Sequence, residues 1–381
     1  MIEGNLDSII RAPHNTRLEL AQFVHRPVFK HAMYDPASIT DPPFSTNLAA
    51  LSAIVSALDI ENDPYVQSLR RQLAKSTSRT AEHLRLDQKL SKVILKQDSF
   101  THKGLRDFER TAHVILEDLG SWAADWYVWE VIQQAKRVAN PYDNIISTWK
   151  TSEKAYLLSI INQIVVSPVS YYANDIAEET SDKVRVLIEV LLSEKFDAEA
   201  ENESYSGLVF VQRRDTVLVL AEILRHHPFT ADIFRFGCLI GSSDSAYRHS
   251  LLDITRMMLK DTQEDTLADF KIGEKNVIIS TSVAEEGIDI QACGSVVRWD
   301  PPPNMASWAQ SRGRARRKRS TFTLMFMRGG SDQGNVTKWE KLEQEMVRLY
   351  NDNARGSLEE EAVVLADEAD DDLEFRVPST G

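Results

Sequence analysis

The sequence predicts an α/β fold, a mainly parallel sheet covered by helices, which follows an all-α bundle. After Ser181, short continuous apolar runs alternate with helical patterns, and such alternation is typical of βαβ units with parallel strands. From Thr46 to about Val166, apolar residues instead recur at helical spacing. A length of 381 residues and a hydrophobic content of 43% suit a globular protein of two or three domains.

Residues 1–44 contain one short amphipathic segment, 17–24, and then four prolines, Pro27, Pro36, Pro42 and Pro43. Proline fixes φ and lacks an N–H donor, so this density favours an extended connector over a core element. We expect residues 1–44 to be a connector that belongs to a missing part of the protein or packs on the helices after it.

Residues 45–175 are predicted to form a bundle of five or six helices. Asp63 and Pro64 read as the N-cap and first residue of one helix, and Gly120 as the end of another. Trp122, Trp126 and Trp129 fall on the next helix, which begins at Ser121. These indoles could stack on bases, but an aromatic stripe at helical spacing is more often core, so we expect core.

The α/β part, 176–332, is predicted to begin with a helix after Ser181. Its five strands are expected at 207–211, 236–240, 277–280, 295–299 and 321–327. One helix carries Val217, Leu220 and Leu224, two more run through Met258 and Leu267, and another spans 304–312. An amphipathic helical arm follows within 333–358, from Lys338 to Leu349.

The formal net charge of −13 is concentrated in one segment near the end of the chain. Nine acidic residues and no basic ones lie between Glu359 and Glu374, and omitting them raises the net charge to −4. We therefore expect 359–381 to be an acidic linker. Asp367 to Asp370 spells D-E-A-D, but a carboxylate pair inside a block of like charge is more often solvated than a metal site.

Cysteine content and hydropathy restrict the class of protein further. Cys238 and Cys293 lie in apolar, strand-like contexts, which argues against disulfides, a zinc site or a catalytic thiol. No apolar run reaches the roughly 18 residues of a membrane span, and the first residues have no signal-peptide core. We expect a cytoplasmic protein without membrane contact.

The stretch 276–319 concentrates the functional residue types. An apolar run ends in Ser280, Thr281 and Ser282, and such a turn puts hydroxyls and N–H groups at the carboxyl edge of an α/β sheet, where phosphates bind. Gly287 permits close approach of the backbone, and Asp289 offers a carboxylate to a ribose hydroxyl or an arginine.

Arg314 and Arg316 follow Gln310 and surround a glycine-containing turn at Gly313. A guanidinium is a planar fork of donors that suits phosphate and stabilises charge on a transferred γ-phosphoryl group. The alternative is a solvated basic face, because Arg317, Lys318 and Arg319 continue the run. The ordered strand and turn upstream favour the functional interpretation.

These residues resemble motifs V and VI of superfamily 2 helicases. Thr281 to Ile290 reads T-S-V-A-E-E-G-I-D-I, Gln310 to Arg316 reads Q-S-R-G-R-A-R, and 206–217 resembles motif IV. Together with the helical segment before them, they are similar to Dicer and the innate-immune RNA sensors, in particular to fungal Dicer-like proteins. The resemblance implies a RecA-like helicase C-terminal domain with an all-α insertion domain. It further implies that 1–44 ends a first helicase half and that 375–381 leads into a missing dimerisation domain.

The resemblance also implies ligands and roles. The catalytic residues for ATP hydrolysis would be Gln310, Arg314 and Arg316. The residues that bind ATP would be Gly287, Asp289 and Gly313. Double-stranded RNA would contact Gln212, Arg213, Thr281 and Ser282. The enzyme would be an ATP-dependent helicase region within an endoribonuclease of RNA silencing and antiviral defence.

The sequence also departs from the family pattern. It contains no G-x-x-x-x-G-K-[S/T] loop and no ribonuclease III domain. We therefore expect ATP and Mg²⁺ to bind only together with the missing first RecA-like half. Two alternatives stay open: a non-catalytic module that binds RNA, or a protein partner through the helical bundle, and a half of an unrelated superfamily 2 DNA helicase.

Overall fold

A computed structural model describes residues 27–138, 151–241, 262–284, 293–331, 334, 337–342 and 344–345. Their centre is a six-stranded sheet in which every strand pair is parallel and the order is β1-β6-β5-β2-β4-β3. The strands are β1 Val28–Tyr34, β2 Gly207–Phe210, β3 Phe236–Leu239, β4 Val277–Ser280, β5 Ser295–Arg298 and β6 Thr321–Met327.

Eleven α-helices have bounds within these residues, and 337–342 and 344–345 are also helical. Those before the second strand are α1 Thr46–Ser56, α2 Pro64–Lys75, α3 Ala81–Lys96, α4 Phe100–Leu119, α5 Ser121–Val138, α6 Thr151–Ile161, α7 Ala173–Glu179 and α8 Asp182–Ala200. Those after it are α9 Arg214–His226, α10 Gln263–Ile272 and α11 Met305–Arg312. The elements described after Ser181 confirm the predicted alternation of strands and helices. Met258 lies outside the described residues.

The central strands read as apolar runs because both faces of the sheet are covered. Every residue of β2, β3, β4 and β5 is buried, as expected for parallel strands under two layers of helices. The register aligns Gly207 with Val277 on one side and with Ser295 on the other. The carboxyl ends of β2, β4 and β5 therefore lie at one level, which positions the polar residues after them side by side.

One strand lies where the sequence predicted a connector. Val28–Tyr34 pairs in parallel with β6 along its whole length and forms one edge of the sheet, so this part of the predicted connector is a strand of the sheet. The pattern was hard to read because only Ala32 of this strand is buried, as befits an edge strand. Pro27, which cannot donate to a ladder, stands just before the strand, where proline is tolerated.

Helices α1 and α4 to α6 share an apolar core with the α8 and α9 side of the sheet. Trp122 and Trp126 are buried in it, which favours the core interpretation of those two side chains. Trp122 Nε1 donates to the Ser170 carbonyl at 2.6 Å, and Trp126 Nε1 donates to the Tyr171 hydroxyl at 2.8 Å. The indoles therefore also fasten the segment after α6 to the bundle.

Helix boundaries follow the predicted capping chemistry. Asp63 is the N-cap of α2, and its carboxylate accepts the Tyr65 N–H at 2.8 Å ahead of Pro64 at the first position. Gly120 separates α4 from α5 with φ of 106° and ψ of 179°, a conformation open essentially to glycine alone. It forms an isolated bridge with Thr180, so the α4–α5 corner lies directly against the approach to α8.

A buried lysine connects the helices to the sheet. The Lys183 ammonium on α8 lies 3.2 Å from an Asp118 oxygen on α4 and 3.6 Å from an Asp300 oxygen after β5. It also lies 4.4 Å from the centroid of the Trp299 ring. Burial alone would lower the pKa of Lys183, but the carboxylates of Asp118 and Asp300 outweigh it and raise the pKa. Lys183 is therefore charged, and it joins three elements at one point.

Candidate functional site

The polar residues after β4 lie at the carboxyl edge of the sheet, as predicted. Thr281 is buried, and its hydroxyl accepts the Gly241 N–H at 3.3 Å while its own N–H donates to the Leu239 carbonyl at 3.2 Å. Ser282 is exposed and begins a single 3₁₀ turn that ends at Ala284. Thr281 therefore fixes the turn, and Ser282 presents its hydroxyl to solvent.

Gln212 lies beside this turn, at the carboxyl end of β2. Its N–H donates to an Asp300 carboxylate oxygen at 2.7 Å, and its side-chain amide donates to the Pro301 carbonyl at 3.0 Å. Gln212 is exposed, and Asp300 also faces Lys183. Asp300 therefore joins the segment after β2 to the segment after β5, and it contacts both Gln212 and Lys183.

The Arg213 side chain packs against the helices. Its guanidinium donates to the Thr111 hydroxyl on α4 at 2.9 Å and lies 3.8 Å from a carboxylate oxygen of Asp215. The Tyr127 hydroxyl on α5 donates to the same acid at 3.2 Å. Burial raises the pKa of Asp215, and Arg213 opposes that rise. The Arg213 side chain is 40% exposed, so a ligand would reach it at this seam between helices and sheet.

The arginine-rich turn lies at the other end of the strands, near their amino ends. Helix α11 begins after β5, where the Asn304 carboxamide accepts the Ser307 N–H at 2.9 Å as N-cap. Its eight residues rise about 12 Å, close to the length of four-residue β5. The chain thus returns to the start of β5, where the Cys293 N–H donates to the Arg314 carbonyl at 3.1 Å.

The predicted catalytic residues cluster on this return. Gln310 lies half-buried near the end of α11, Gly313 is exposed in the turn, Arg314 is half-buried, and Arg316 is exposed. Arg316 Nε donates to the Gly313 carbonyl at 2.6 Å. That hydrogen bond uses Nε. The two terminal nitrogens of the guanidinium are the pair of donors that suits a phosphate.

The rest of the basic run has other contacts. Arg317 donates to the Ser204 carbonyl at 2.6 Å, and Arg319 forms an ion pair with Glu201. Both partners precede β2, so these two arginines close the amino edge of the sheet. The run is thus not one uniform solvated face: Arg317 and Arg319 contact the segment before β2, whereas Arg316 contacts Gly313 within its own turn.

The candidate residues therefore form two separate surfaces. Thr281, Ser282, Gln212 and Arg213 lie at the carboxyl edge, whereas Gln310 to Arg316 leads to the amino end of β5. Gly287 and Asp289, which were predicted to bind the nucleotide, lie outside the described residues. The sequence prediction did not include Asp300, Asp215 and Lys183, whose roles depend on contacts between distant segments.

The thiol of Cys293, which lies beside this turn, has low reactivity. Burial raises the pKa of its thiol to about 12, against the opposing effect of Arg317 and Arg314. Cys238 is also buried and forms no disulfide. Since the thiolate is the reactive form, Cys293 serves as a packing residue beneath Ala315.

The described parts of the chain offer neither a cluster of metal ligands nor a membrane span. Within them, no group of three or more His, Cys, Asp or Glu side chains is placed to hold a metal ion, and no helix is long and apolar enough to cross a membrane. The side chains of Arg314 and Arg316 are cationic, and a guanidinium suits an anion such as a phosphate.

Comparison with known proteins gives concordant results. Residues 182–319 match the family model described as the helicase conserved C-terminal domain. The chain is 39% identical to Dicer-like protein 2 of Neosartorya fischeri and 38% identical to Dicer-like protein 2 of Aspergillus fumigatus. Both alignments cover 93% of this chain and 24% of the relative, so the chain spans about a quarter of the length of these curated relatives.

Among solved structures, the helicase domain of Hef from Pyrococcus furiosus aligns with 88% of this chain and 63% of its own. The identity is 18% and the TM-score is 0.38. A TM-score at this level is too low to support an argument about fold or function.

Proposed function

The chain carries a helicase conserved C-terminal domain and is homologous over nearly its whole length to fungal Dicer-like proteins 2; from this premise we propose that it is the second RecA-like half of an ATP-dependent helicase acting on double-stranded RNA. The whole-protein roles of endoribonucleolytic RNA silencing and antiviral defence extend the proposal, because the chain spans about a quarter of those relatives.

The observation that carries the proposal is the exposed guanidinium of Arg316, held by its Nε on Gly313 beside half-buried Arg314 and Gln310. A fork anchored at one nitrogen keeps a defined direction and loses little entropy when it meets a phosphate. In the proposed reaction ATP supplies the γ-phosphoryl group, and Arg314 and Arg316 stabilise the charge that develops on it. Gly287, Gly313 and Asp289 are proposed to line the nucleotide.

RNA is proposed to bind at the other surface. RNA duplexes are recognised mainly through phosphates, 2′-hydroxyls and shape. Ser282 offers an exposed hydroxyl, Gln212 is exposed with its backbone fixed by Asp300, and Arg213 adds a positive charge. Thr281 is proposed to act through the turn that it fixes. Separation of the surfaces lets the strand ends hold RNA while the arginine turn serves a nucleotide.

The helices between Thr46 and Ile161 are proposed to be an insertion domain of the same helicase. They share one apolar core with the covering helices of the sheet, and Lys183 and Arg213 tie α4 to the rim after β5 and β2. Movement of the bundle would therefore displace Gln212 and Asp300. Residues 45–175 are the proposed bounds of this domain, and 333–358 those of the following arm.

A reconstitution experiment tests the proposal. The 381-residue chain is mixed with a first RecA-like half from a fungal Dicer-like protein 2, chosen to carry the G-x-x-x-x-G-K-[S/T] loop that this sequence lacks. We expect RNA-stimulated ATP hydrolysis that neither part shows alone. Binding of RNA by the chain with no gain in hydrolysis would favour the alternative, a non-catalytic RNA- or protein-binding module.

A further inference from the structure

The exposed residue after β2, Gln212, is held by one segment at both its backbone and its side chain. Its N–H donates to an Asp300 carboxylate oxygen at 2.7 Å, and its Nε2 donates to the Pro301 carbonyl at 3.0 Å. A carbonyl oxygen only accepts, so the nitrogen of the Gln212 amide must face Pro301. The amide oxygen, Oε1, is therefore the atom left to a ligand, and no group in the described residues donates to it.

Asp300 owes its own position to the end of β5 and to a buried cation. The Trp299 N–H donates to the Phe210 carbonyl at 2.9 Å, which carries the backbone pairing of β2 with β5 to the last residue of β2. Beyond that point the Asp300 carboxylate takes the place of a backbone acceptor for Gln212. The Lys183 ammonium lies 3.6 Å from the other carboxylate oxygen, so both oxygens of Asp300 have partners.

The charge of Asp300 alone does not suit this edge of the sheet. A carboxylate repels the phosphates of a polyanion, and this one is still 21% exposed. Lys183 offsets the charge, and what the acid supplies to Gln212 is a charge-assisted hydrogen bond, which is stronger than a neutral one. The acid is thus retained at a cost to electrostatics, which points to a role in geometry.

We propose that Asp300 is a positioning residue, which keeps Gln212 oriented so that Oε1 accepts the hydrogen of a ribose 2′-hydroxyl. An amide oxygen has no proton to give to a phosphate, whereas the 2′-hydroxyl is a donor that RNA has and DNA lacks. Gln212 then distinguishes ribose from deoxyribose and adds little to non-specific affinity. The inference rests on the proposed function, because it assigns a group of RNA to a surface proposed to bind RNA.

The adjacent strand places a complementary group beside Gln212. Phe210 of β2 aligns with Ser280 of β4, and Gln212 and Ser282 each follow two residues later, on strands that lie about 4.8 Å apart. The exposed Ser282 hydroxyl can donate to a phosphate oxygen. An acceptor for a hydroxyl next to a donor for a phosphate suits the alternating groups of a ribose–phosphate backbone.

The test compares two labelled duplexes by fluorescence anisotropy with the 381-residue chain. One is RNA, and the other has the same sequence with 2′-fluorine in place of each 2′-hydroxyl, which keeps the phosphates but removes the donor. The variants are Gln212→Met, Asp300→Ala and Asp300→Asn. The control is Gln163→Met, which changes another exposed glutamine whose Nε2 donates to a carbonyl, that of Ser159 at 3.0 Å.

The unchanged chain should prefer RNA to the fluorinated duplex by at least about 2- to 10-fold, the effect of one neutral hydrogen bond. Gln212→Met and Asp300→Ala should each reduce that preference by about 2- to 10-fold. Asp300→Asn, whose amide oxygen can still accept the Gln212 N–H, should retain most of it, and Gln163→Met all of it. The two changes at Asp300 remove the same charge, so the difference between them isolates the hydrogen bond.

Folding is checked by thermal unfolding midpoints. In Asp300→Ala the buried Lys183 keeps Asp118 as a partner, and Gln212→Met tests the same orientation at a surface position. Equal preferences in Asp300→Ala and Asp300→Asn would overturn the positioning role. Gln212→Met that weakens both duplexes equally, or an unchanged chain that binds them equally, would overturn the hydroxyl contact. An unchanged chain that binds neither duplex would refute the proposed RNA surface itself, and this inference with it.

Discussion

Lys183→Met removes the cation that joins α4, α8 and the rim after β5 while keeping a side chain of similar length. In the native protein the ammonium is 3.2 Å from Asp118 and 3.6 Å from Asp300, and its side chain is 6% exposed. The two acids are partly shielded as well, at 31% and 21% exposure. The substitution leaves both carboxylates without their shared partner.

The distances set the magnitude. With an effective dielectric constant near 20, each carboxylate attracts the ammonium by about 5 kcal/mol, or about 10 kcal/mol together. Desolvation of the lysine offsets several kcal/mol of that attraction, and removal of one member of a buried pair typically costs about 3 to 5 kcal/mol. We expect Lys183→Met to lower the free energy of unfolding by about 3 to 5 kcal/mol.

Urea unfolding followed by tryptophan fluorescence measures the loss, because Trp299 lies under the ammonium. Lys195→Met is the matched control on the same helix: its ion pair with Glu199 reaches an acid that is 52% exposed, and such pairs contribute at most about 1 kcal/mol. A third variant, Asp118→Asn with Lys183→Met, should recover part of the loss because it removes one uncompensated charge.

The pH dependence gives a second measurement with a definite sign. Burial already raises the pKa of Asp118, and Lys183 opposes the rise, so its removal should raise that pKa further. A carboxyl whose pKa is higher in the folded state favours folding at low pH. The deficit of Lys183→Met should therefore shrink as pH falls toward 3.8, the ordinary pKa of this group. A loss no larger than that of Lys195→Met, or a deficit that grows on acidification, would refute the reasoning.

Two further predictions concern the packing around the site. Gly120→Ala should lower stability by at least about 3 kcal/mol, because its φ is 106° and a Cβ would collide with the Glu179 carbonyl; Gly273→Ala, at φ 85° with open space around it, should cost about 1 kcal/mol. Urea unfolding compares them, and similar losses would contradict this account of the α4–α5 corner. Cys293 should resist iodoacetamide in the folded chain at about pH 8 and react in urea, since burial raises its pKa to about 12; mass spectrometry of native alkylation decides the point.

Much of the α/β part was predictable because local pattern and tertiary environment agree there. Apolar runs such as Val277 to Ile279 are buried on both faces of the sheet, so their composition alone indicates a strand. The caps at Asp63 and Gly120 were predictable for a similar reason, since each depends on the chemistry of one or two neighbouring residues.

Features that depend on distant partners were not predictable in this way. Strand β1 is recognisable only through its pairing with β6, almost 300 residues away along the chain, because only one of its residues is buried. Lys183 lies in a sequence that reads as an ordinary amphipathic helix, and Asp300 in a turn before prolines. The separation of Thr281 from Arg316 arises from the return path of α11, which no local pattern reveals.

The most direct test of the proposed helicase half is the turnover of ATP by the reconstituted pair when Arg316 is changed to alanine. Arginine fingers typically contribute a factor of about 10³ to 10⁵ to the rate of phosphoryl transfer. Arg316→Ala should therefore lower kcat at least about 1,000-fold, while Arg319→Ala, which loses an ion pair with Glu201, should leave it nearly unchanged. Undiminished hydrolysis by the Arg316→Ala protein would contradict the assignment.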